Sequence, residues 1–117
     1  MSAMINDERR SRRRALKASA AAVLEGKLLF KCRIVDFSEA GARLHTGDHQ
    51  APDRFQLIDI PAGVAYSVRV VWRRGPSVGV AFLQSRPIED EGTPEWIADL
   101  WRELRIETEG GARSAAA

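Results

Sequence analysis

The sequence predicts a mainly β domain of six antiparallel strands, folded as a barrel or a sandwich, with one C-terminal α-helix. Two observations predict this class: apolar and polar residues alternate over short segments separated by turn signals, and one later segment has apolar residues at helical spacing. A length of 117 residues suits one domain. The composition, 44% hydrophobic and 29% charged, is that of a globular protein rather than a disordered chain.

The clearest strand runs from Leu28 to Val35, where successive side chains belong to opposite faces. Glu25-Gly26-Lys27 before it is typical of a tight turn, so residues 16–24 are predicted to be the partner strand of a hairpin. The arginine, alanine and leucine content of residues 9–24 also suits a helix, although no apolar stripe of helical period runs through them. The other strands are predicted at residues 42–45, 55–60, 64–73 and 78–83.

One helix is predicted over residues 93–106. Thr93 can cap it and Pro94 fits its first turn. Its apolar face is expected to cover a barrel opening or another helix, and it consists of Trp96, Ile97, Leu100, Trp101 and Leu104. The predicted layout is a flexible N-terminus at 1–8, a basic arm at 9–17, a barrel at 18–84, the helix, and a disordered tail at 107–117.

Positive charge is concentrated in the basic arm, residues 9–17. This segment holds five arginines, one lysine and no acid, whereas the rest of the chain has 12 basic and 16 acidic residues. Such a block attracts phosphates, acidic partners or membrane headgroups, or it is only a solvated tail. The acidic excess elsewhere argues against a nucleic-acid partner.

The run Ser11-Arg12-Arg13-Arg14 is similar to a twin-arginine export signal. Such a signal needs an uncharged apolar stretch of about 7–15 residues before its cleavage site. Here residues 18–24 are short and rich in alanine, and Glu25 and Lys27 follow at once. Cleavage there would also remove the first predicted strand. We therefore expect the protein to be cytoplasmic.

The composition also excludes several classes of function. No apolar run approaches the roughly 20 residues that span a bilayer. The lone Cys32 cannot form an internal disulfide or a multi-thiolate zinc site, and we expect it to be a small buried hydrophobe. No set of residues typical of a catalytic centre is present, so we expect neither enzymatic activity nor a metal or cofactor.

Two short motifs carry the functional prediction. Arg10 and Arg14 form an Arg-x-x-x-Arg motif, and Arg9 and Arg13 form the same motif one residue earlier. An Asp-x-Ser-x-x-Gly motif follows, with its defined positions at Asp36, Ser38 and Gly41. In this order, inside a six-strand pattern, the two motifs resemble those of the PilZ domain family of cyclic di-GMP receptors. The resemblance covers residues 8–106 and implies a six-stranded barrel with one C-terminal helix.

The resemblance implies a ligand site that the chemistry of these residues also suits. Arginine pairs bidentately with phosphate, stacks on aromatic rings and bonds the O6 and N7 atoms of guanine. We assign Arg10 and Arg14 to phosphate and guanine and include Arg9 and Arg13 with them; Arg9 before the motif is associated in the family with an intercalated ligand dimer. Asp36 and Ser38 are assigned to the guanine edge, unless they only shape a turn, and Gly41 to the shape of the loop. Trp72 is a weaker candidate, with packing as its alternative role.

The predicted function is therefore that of a cyclic di-GMP receptor in bacterial second-messenger signalling. The basic arm would fold over the barrel when the ligand binds, and an unknown downstream protein partner would recognise the new surface. Two alternatives remain open at this stage: a PilZ-like interaction domain that binds no nucleotide, and a nucleic-acid binder that uses the basic arm.

Overall fold

The computed structural model describes residues 18–116 and the side chains of residues 18–107. It has the predicted class, a closed six-stranded antiparallel barrel followed by one helix. The strands and helix are β1 (Ala18–Leu24), β2 (Lys27–Phe37), β3 (Gly41–His45), β4 (Arg54–Asp59), β5 (Val64–Arg74), β6 (Ser77–Pro87) and α1 (Glu95–Ala116).

The barrel closes in the order β1-β2-β3-β6-β5-β4, with β1 pairing with both β2 and β4. All neighbouring strands are antiparallel. Because the first strand pairs with the fourth, the sheet has no open edge, and the barrel rather than the sandwich is confirmed. The strands cross over once, where β3 pairs with β6 instead of β4.

The barrel interior is filled by alternate residues of every strand, as the alternation in the sequence predicts. Ile34, Leu44, Leu57 and Val68 are among the side chains that are almost completely buried there. Cys32 lies in the same cluster, so its predicted burial is confirmed. Burial raises the pKa of the Cys32 thiol to about 12.

The alanine-rich strand β1 is buried on both faces. Ala20 and Ala22 belong to the barrel interior, whereas Ala21 and Val23 lie in a second apolar cluster beneath α1. A strand between two packed layers has room for small side chains only, so the alanine run fits the place that β1 occupies.

The helix packs on the outside of the barrel wall. The apolar face of α1 packs against Ile58 of β4 and Ala65 of β5 through Ile97, Trp101 and Leu104. Because the strand neighbours of Ile58 and Ala65 face the barrel interior, these two side chains face outward. The Trp101 indole Nε1 donates a hydrogen bond to the Ile60 carbonyl oxygen at 3.0 Å. The prediction of an apolar helix face is thus confirmed, but the prediction that this face covers a barrel opening or another helix is wrong.

The helix is also longer than the sequence predicts. It continues to Ala116, past the predicted end at Ile106 and through Gly110 and Gly111. Glycine weakens a helix by about 1 kcal/mol relative to alanine, but unlike proline it keeps the backbone N–H that the helix needs. The segment predicted as a disordered tail is therefore helical in its described part.

Candidate functional site

The Asp-x-Ser-x-x-Gly motif forms the tight connection between β2 and β3. The Ser38 amide donates to the Gly41 carbonyl oxygen at 2.8 Å, and the Gly41 amide lies 3.3 Å from the Ser38 hydroxyl oxygen. The Ala40 carbonyl accepts from the Phe82 amide at 2.8 Å, which fixes the turn to β6. The expectation that Ser38 shapes a turn therefore agrees with these bonds.

Gly41 is required by the close approach of β3 to β6. A Cβ atom at this position would collide with the Val80 carbonyl oxygen and lie 3.2 Å from the Ala81 Cα. Since both are backbone atoms in a paired strand, neither can move aside cheaply. Gly41 thus sets the shape of the loop, as its assignment in the motif implies.

Phe37, the variable residue after Asp36, anchors the turn to the barrel. Its ring lies 6.0 Å from the Tyr66 ring in an edge-on arrangement and 5.6 Å from the Phe82 ring. Tyr66 and Phe82 are stacked at 4.2 Å. Because Phe37 points toward the core, Asp36 and Ser38 on either side of it are exposed to solvent.

Asp36 begins a row of four residues that crosses four strands on the outer wall. The strand register pairs Asp36 with Arg43, Arg43 with Gly79, and Gly79 with Trp72. We call this set the cross-strand row. It lines an open groove of about 470 Å³ together with the Ser38–Gly41 turn. The row places an acid, a base and an indole side by side over adjacent strands.

Trp72 lies flat against β6 because its partner is a glycine. A Cβ atom at Gly79 would collide with the indole Nε1 and Cε2 atoms of Trp72. The indole is still 43% exposed, and its N–H donates to no acceptor among the described residues. An exposed, flat ring beside charged groups is a surface on which a planar base can stack.

The two charged members of the row also have capacity to bind a ligand. The Asp36 Oδ1 atom accepts the Phe37 amide at 2.9 Å, and within the described part of the chain Oδ2 accepts no hydrogen bond. Arg43 is exposed and forms no ion pair with another described residue. By contrast, Arg73 is bound to the Asp53 carboxylate at 2.9 Å and to the Ala51 carbonyl oxygen at 2.8 Å.

Sequence reasoning missed Arg43. It was one residue of a short alternating strand, and only the register of β3 against β6 brings it beside Gly79. The available signal was its position two residues after Gly41, which places it on the same outward face as the motif glycine. Trp72, the weaker candidate, lies in the groove with Asp36, Ser38 and Gly41.

The arginines of the basic arm, Arg9, Arg10, Arg13 and Arg14, lie outside the described residues. The described chain begins at Ala18, which pairs with Ile34 in antiparallel register. The segment before Ala18 is therefore joined to the barrel at the end of β2 that carries Asp36. Arg14 is four positions before Ala18 in the sequence, and four residues span at most about 14 Å.

The described residues contain neither a metal-binding cluster nor a membrane-spanning helix. No three or more histidine, cysteine or acidic side chains lie where they could share a metal ion. Neither does any helix in this part of the chain have the length and apolar character needed to cross a membrane.

The described part of the chain is thus a small closed barrel with a charged, aromatic groove on its outer wall. A family model described as the PilZ domain matches residues 7–96, which is most of the chain. The chain therefore belongs to the PilZ domain family, a family of cyclic di-GMP receptor domains. The comparisons with curated proteins and with solved structures gave no match.

Proposed function

We propose that this protein is a cyclic di-GMP receptor that acts as an adaptor, without catalysis, in the bacterial cytoplasm. The observation that carries the proposal is the cross-strand row, in which Asp36, Arg43 and Trp72 face one open groove next to the motif turn. Family membership supports the same ligand.

Each group in the row complements a part of a guanine nucleotide. The free oxygen of Asp36 can accept hydrogen bonds from the ring N–H and amino group of guanine. The face of Trp72 offers a stacking surface, and the guanidinium of Arg43 can pair with a phosphate or with the O6 and N7 atoms of a base. Acid, base and ring together suit a guanine dinucleotide better than they suit phosphate alone.

The basic arm supplies the remaining charge in this proposal. Its attachment at Ala18, beside the Asp36 end of β2, allows Arg10 and Arg14 to reach the groove. Cyclic di-GMP has two phosphates, so arginines approaching from the arm would neutralise charge that Arg43 alone leaves uncompensated. The arm would then close over the ligand and give a partner protein a new surface.

The proposal is tested by titration calorimetry with cyclic di-GMP, with GTP as the control ligand. We expect micromolar or tighter binding that Asp36→Ala weakens about 10–100-fold, because a hydrogen bond to a charged group contributes about 1.5–3 kcal/mol. Arg14→Ala and Arg43→Ala should weaken binding to a similar extent.

The matched control is Asp48→Ala, which removes an exposed carboxylate that does not line the groove. Its affinity should equal that of the unmodified protein. If the unmodified protein gives no heat and no change in tryptophan fluorescence at high micromolar ligand, the receptor proposal is wrong, and an interaction domain that binds no nucleotide becomes the better account.

A further inference from the structure

The outer face of β4, β5 and β6, next to the groove, has two arginines directly opposite each other. Arg54 of β4 and Arg69 of β5 are paired in the strand register, and both are exposed. Like charges in such a cross-strand pair repel each other. Neither arginine is in an ion pair with another described residue. This part of the face therefore has uncompensated positive charge.

The middle of the same face is polar and uncharged, with one exposed apolar residue. Gln56, Ser67 and Gln84 form the next outward row, one strand repeat away from the arginines. Their side groups can both donate and accept hydrogen bonds. Leu83, the extra residue of a bulge in β6, is 52% exposed beside this row.

The other end of the face is mainly acidic. The loop that leads into α1 carries Glu89, Asp90 and Glu91, and Glu95 lies in the first turn of the helix; all four are exposed. Thr93 and Pro94, at the start of the helix, line a small pocket with Gln56, Ser67, Gln84 and Arg86. Arg86 donates a hydrogen bond to the Gly92 carbonyl oxygen, so the acidic loop lies next to the polar row, and the four acidic residues outnumber this one arginine. The acidic residues form no ion pair within the described chain.

We propose that this face, which we call the two-charge face, binds a second copy of the chain around a two-fold axis through the polar row. Rotation about that axis places Arg54 and Arg69 of each copy opposite the acidic loop of the other copy. A two-fold interface must be complementary to itself, and a face with one basic end, one acidic end and a neutral centre has this property. The glutamines and Ser67 at the axis can pair with their own copies.

The order of charges on the face favours a second copy over other partners. A nucleic acid long enough to follow the face from Arg54 would reach Glu89–Glu91 and be repelled. A uniformly acidic protein segment would meet the same repulsion. Only a partner with both signs in the reverse order matches the whole face, and a second copy meets this requirement without another protein.

Sedimentation velocity of the full chain over a range of concentrations tests the proposal. We expect a dimer that dissociates at high ionic strength, because exposed charge pairs are screened by salt. The variant R54E/R69E and the variant E89R/E91R should each weaken the dimer at least about tenfold, since attraction at both ends becomes repulsion. Mixing the two variants should restore a dimer, because the reversed charges of one complement those of the other.

Two controls separate this contact from other sources of association. Arg74→Glu makes a similar charge change outside the face and should leave the dimer intact. Replacing the arginines of the basic arm by serine should also leave it intact; loss of the dimer in that variant would mean that the arm, not Arg54 and Arg69, meets the acidic loop, and would overturn the proposal. The proposal would also be overturned if the unmodified protein stayed monomeric at low salt at every concentration tested. It would be overturned as well if the mixture of the two charge-reversal variants stayed monomeric.

The inference does not rest on cyclic di-GMP binding. Arg54 and Arg69 do not line the groove, and the sedimentation readout requires no nucleotide. The protein could fail the calorimetric test and still dimerise, or bind ligand and remain a monomer, so the two proposals fail separately.

Discussion

Trp101 of α1 and Trp72 of β5 each rest against a glycine, and they differ in how far the rest of the protein covers them. Trp101 projects from α1 toward the barrel and contacts Gly63, where an added Cβ atom would be 3.1 Å from the Trp101 Cζ2 atom. Trp72 of β5 lies against Gly79 of β6 in the groove. Trp101 is 6% exposed and Trp72 is 43% exposed. The same tryptophan–glycine contact is therefore buried at Trp101 and exposed to solvent at Trp72.

The difference extends to the polar end of each indole. The Trp101 N–H donates to the Ile60 carbonyl oxygen, so this residue is satisfied both by packing and by hydrogen bonding. The Trp72 N–H has no acceptor among the described residues. A large aromatic residue with an open face and an unused donor is typical of a binding surface, whereas a buried and satisfied one is typical of a core.

The helix-covered side should dominate stability, and this is the largest effect we predict. Trp101→Ala should lower the free energy of unfolding in urea by about 3–5 kcal/mol, because it leaves a cavity under α1 and removes the bond to Ile60. Trp72→Ala is the matched control and should cost less than about 1 kcal/mol, since the side chain is largely exposed. Equal losses for the two variants would contradict the comparison.

The groove side should dominate binding, and Gly79 contributes by supporting the indole of Trp72. Gly79→Ala should weaken cyclic di-GMP binding about tenfold, because the added Cβ lifts the indole of Trp72 away from β6 and base stacking contributes about 1–3 kcal/mol. The change should be visible as altered tryptophan fluorescence of the free protein and as a lower affinity in calorimetry.

A double-mutant cycle separates this effect from general damage to β6. In a Trp72→Ala background, Gly79→Ala should cause no further loss of affinity, because its only route to the ligand has been removed. An equal loss of affinity in both backgrounds would show that Gly79→Ala disturbs β6 and not the position of the Trp72 indole. The contact between Trp72 and Gly79 would then have no role in binding.

The elements that the sequence predicts well are those with a local signal. Strand alternation in Leu28–Val35 and the helical spacing around Trp101 depend only on neighbours along the chain, and both elements form as expected. The place where α1 docks depends on contacts between distant segments, such as Trp101 with Ile60, so it could not be derived from spacing.

The candidate site divides in the same way. Asp36, Ser38 and Gly41 are neighbours in sequence, and their motif identified them before the fold was known. Arg43 and Trp72 become neighbours only because β3 pairs with β6 and β6 with β5. The pairing order of a barrel is set by the whole chain, so the sequence does not single out Arg43 and supports Trp72 less strongly than the motif residues.

The smallest effect we predict comes from Cys32 in the barrel interior, and it is a loss of stability at alkaline pH. Burial raises the pKa of Cys32 from 9.0 to about 12, so the thiol is ionised less readily in the folded than in the unfolded protein. Stability from this group is complete below pH 9 and is lost as the pH rises toward 12, because the unfolded chain then releases a proton that the folded chain retains. Between pH 8 and pH 10 we expect the unmodified protein to lose about 1 kcal/mol more than Cys32→Ala does, measured by urea denaturation at each pH. Parallel pH profiles for the two proteins would mean that the thiol reaches solvent. The barrel interior around Cys32 would then be less tightly packed than the almost complete burial of Ile34 and Leu44 indicates.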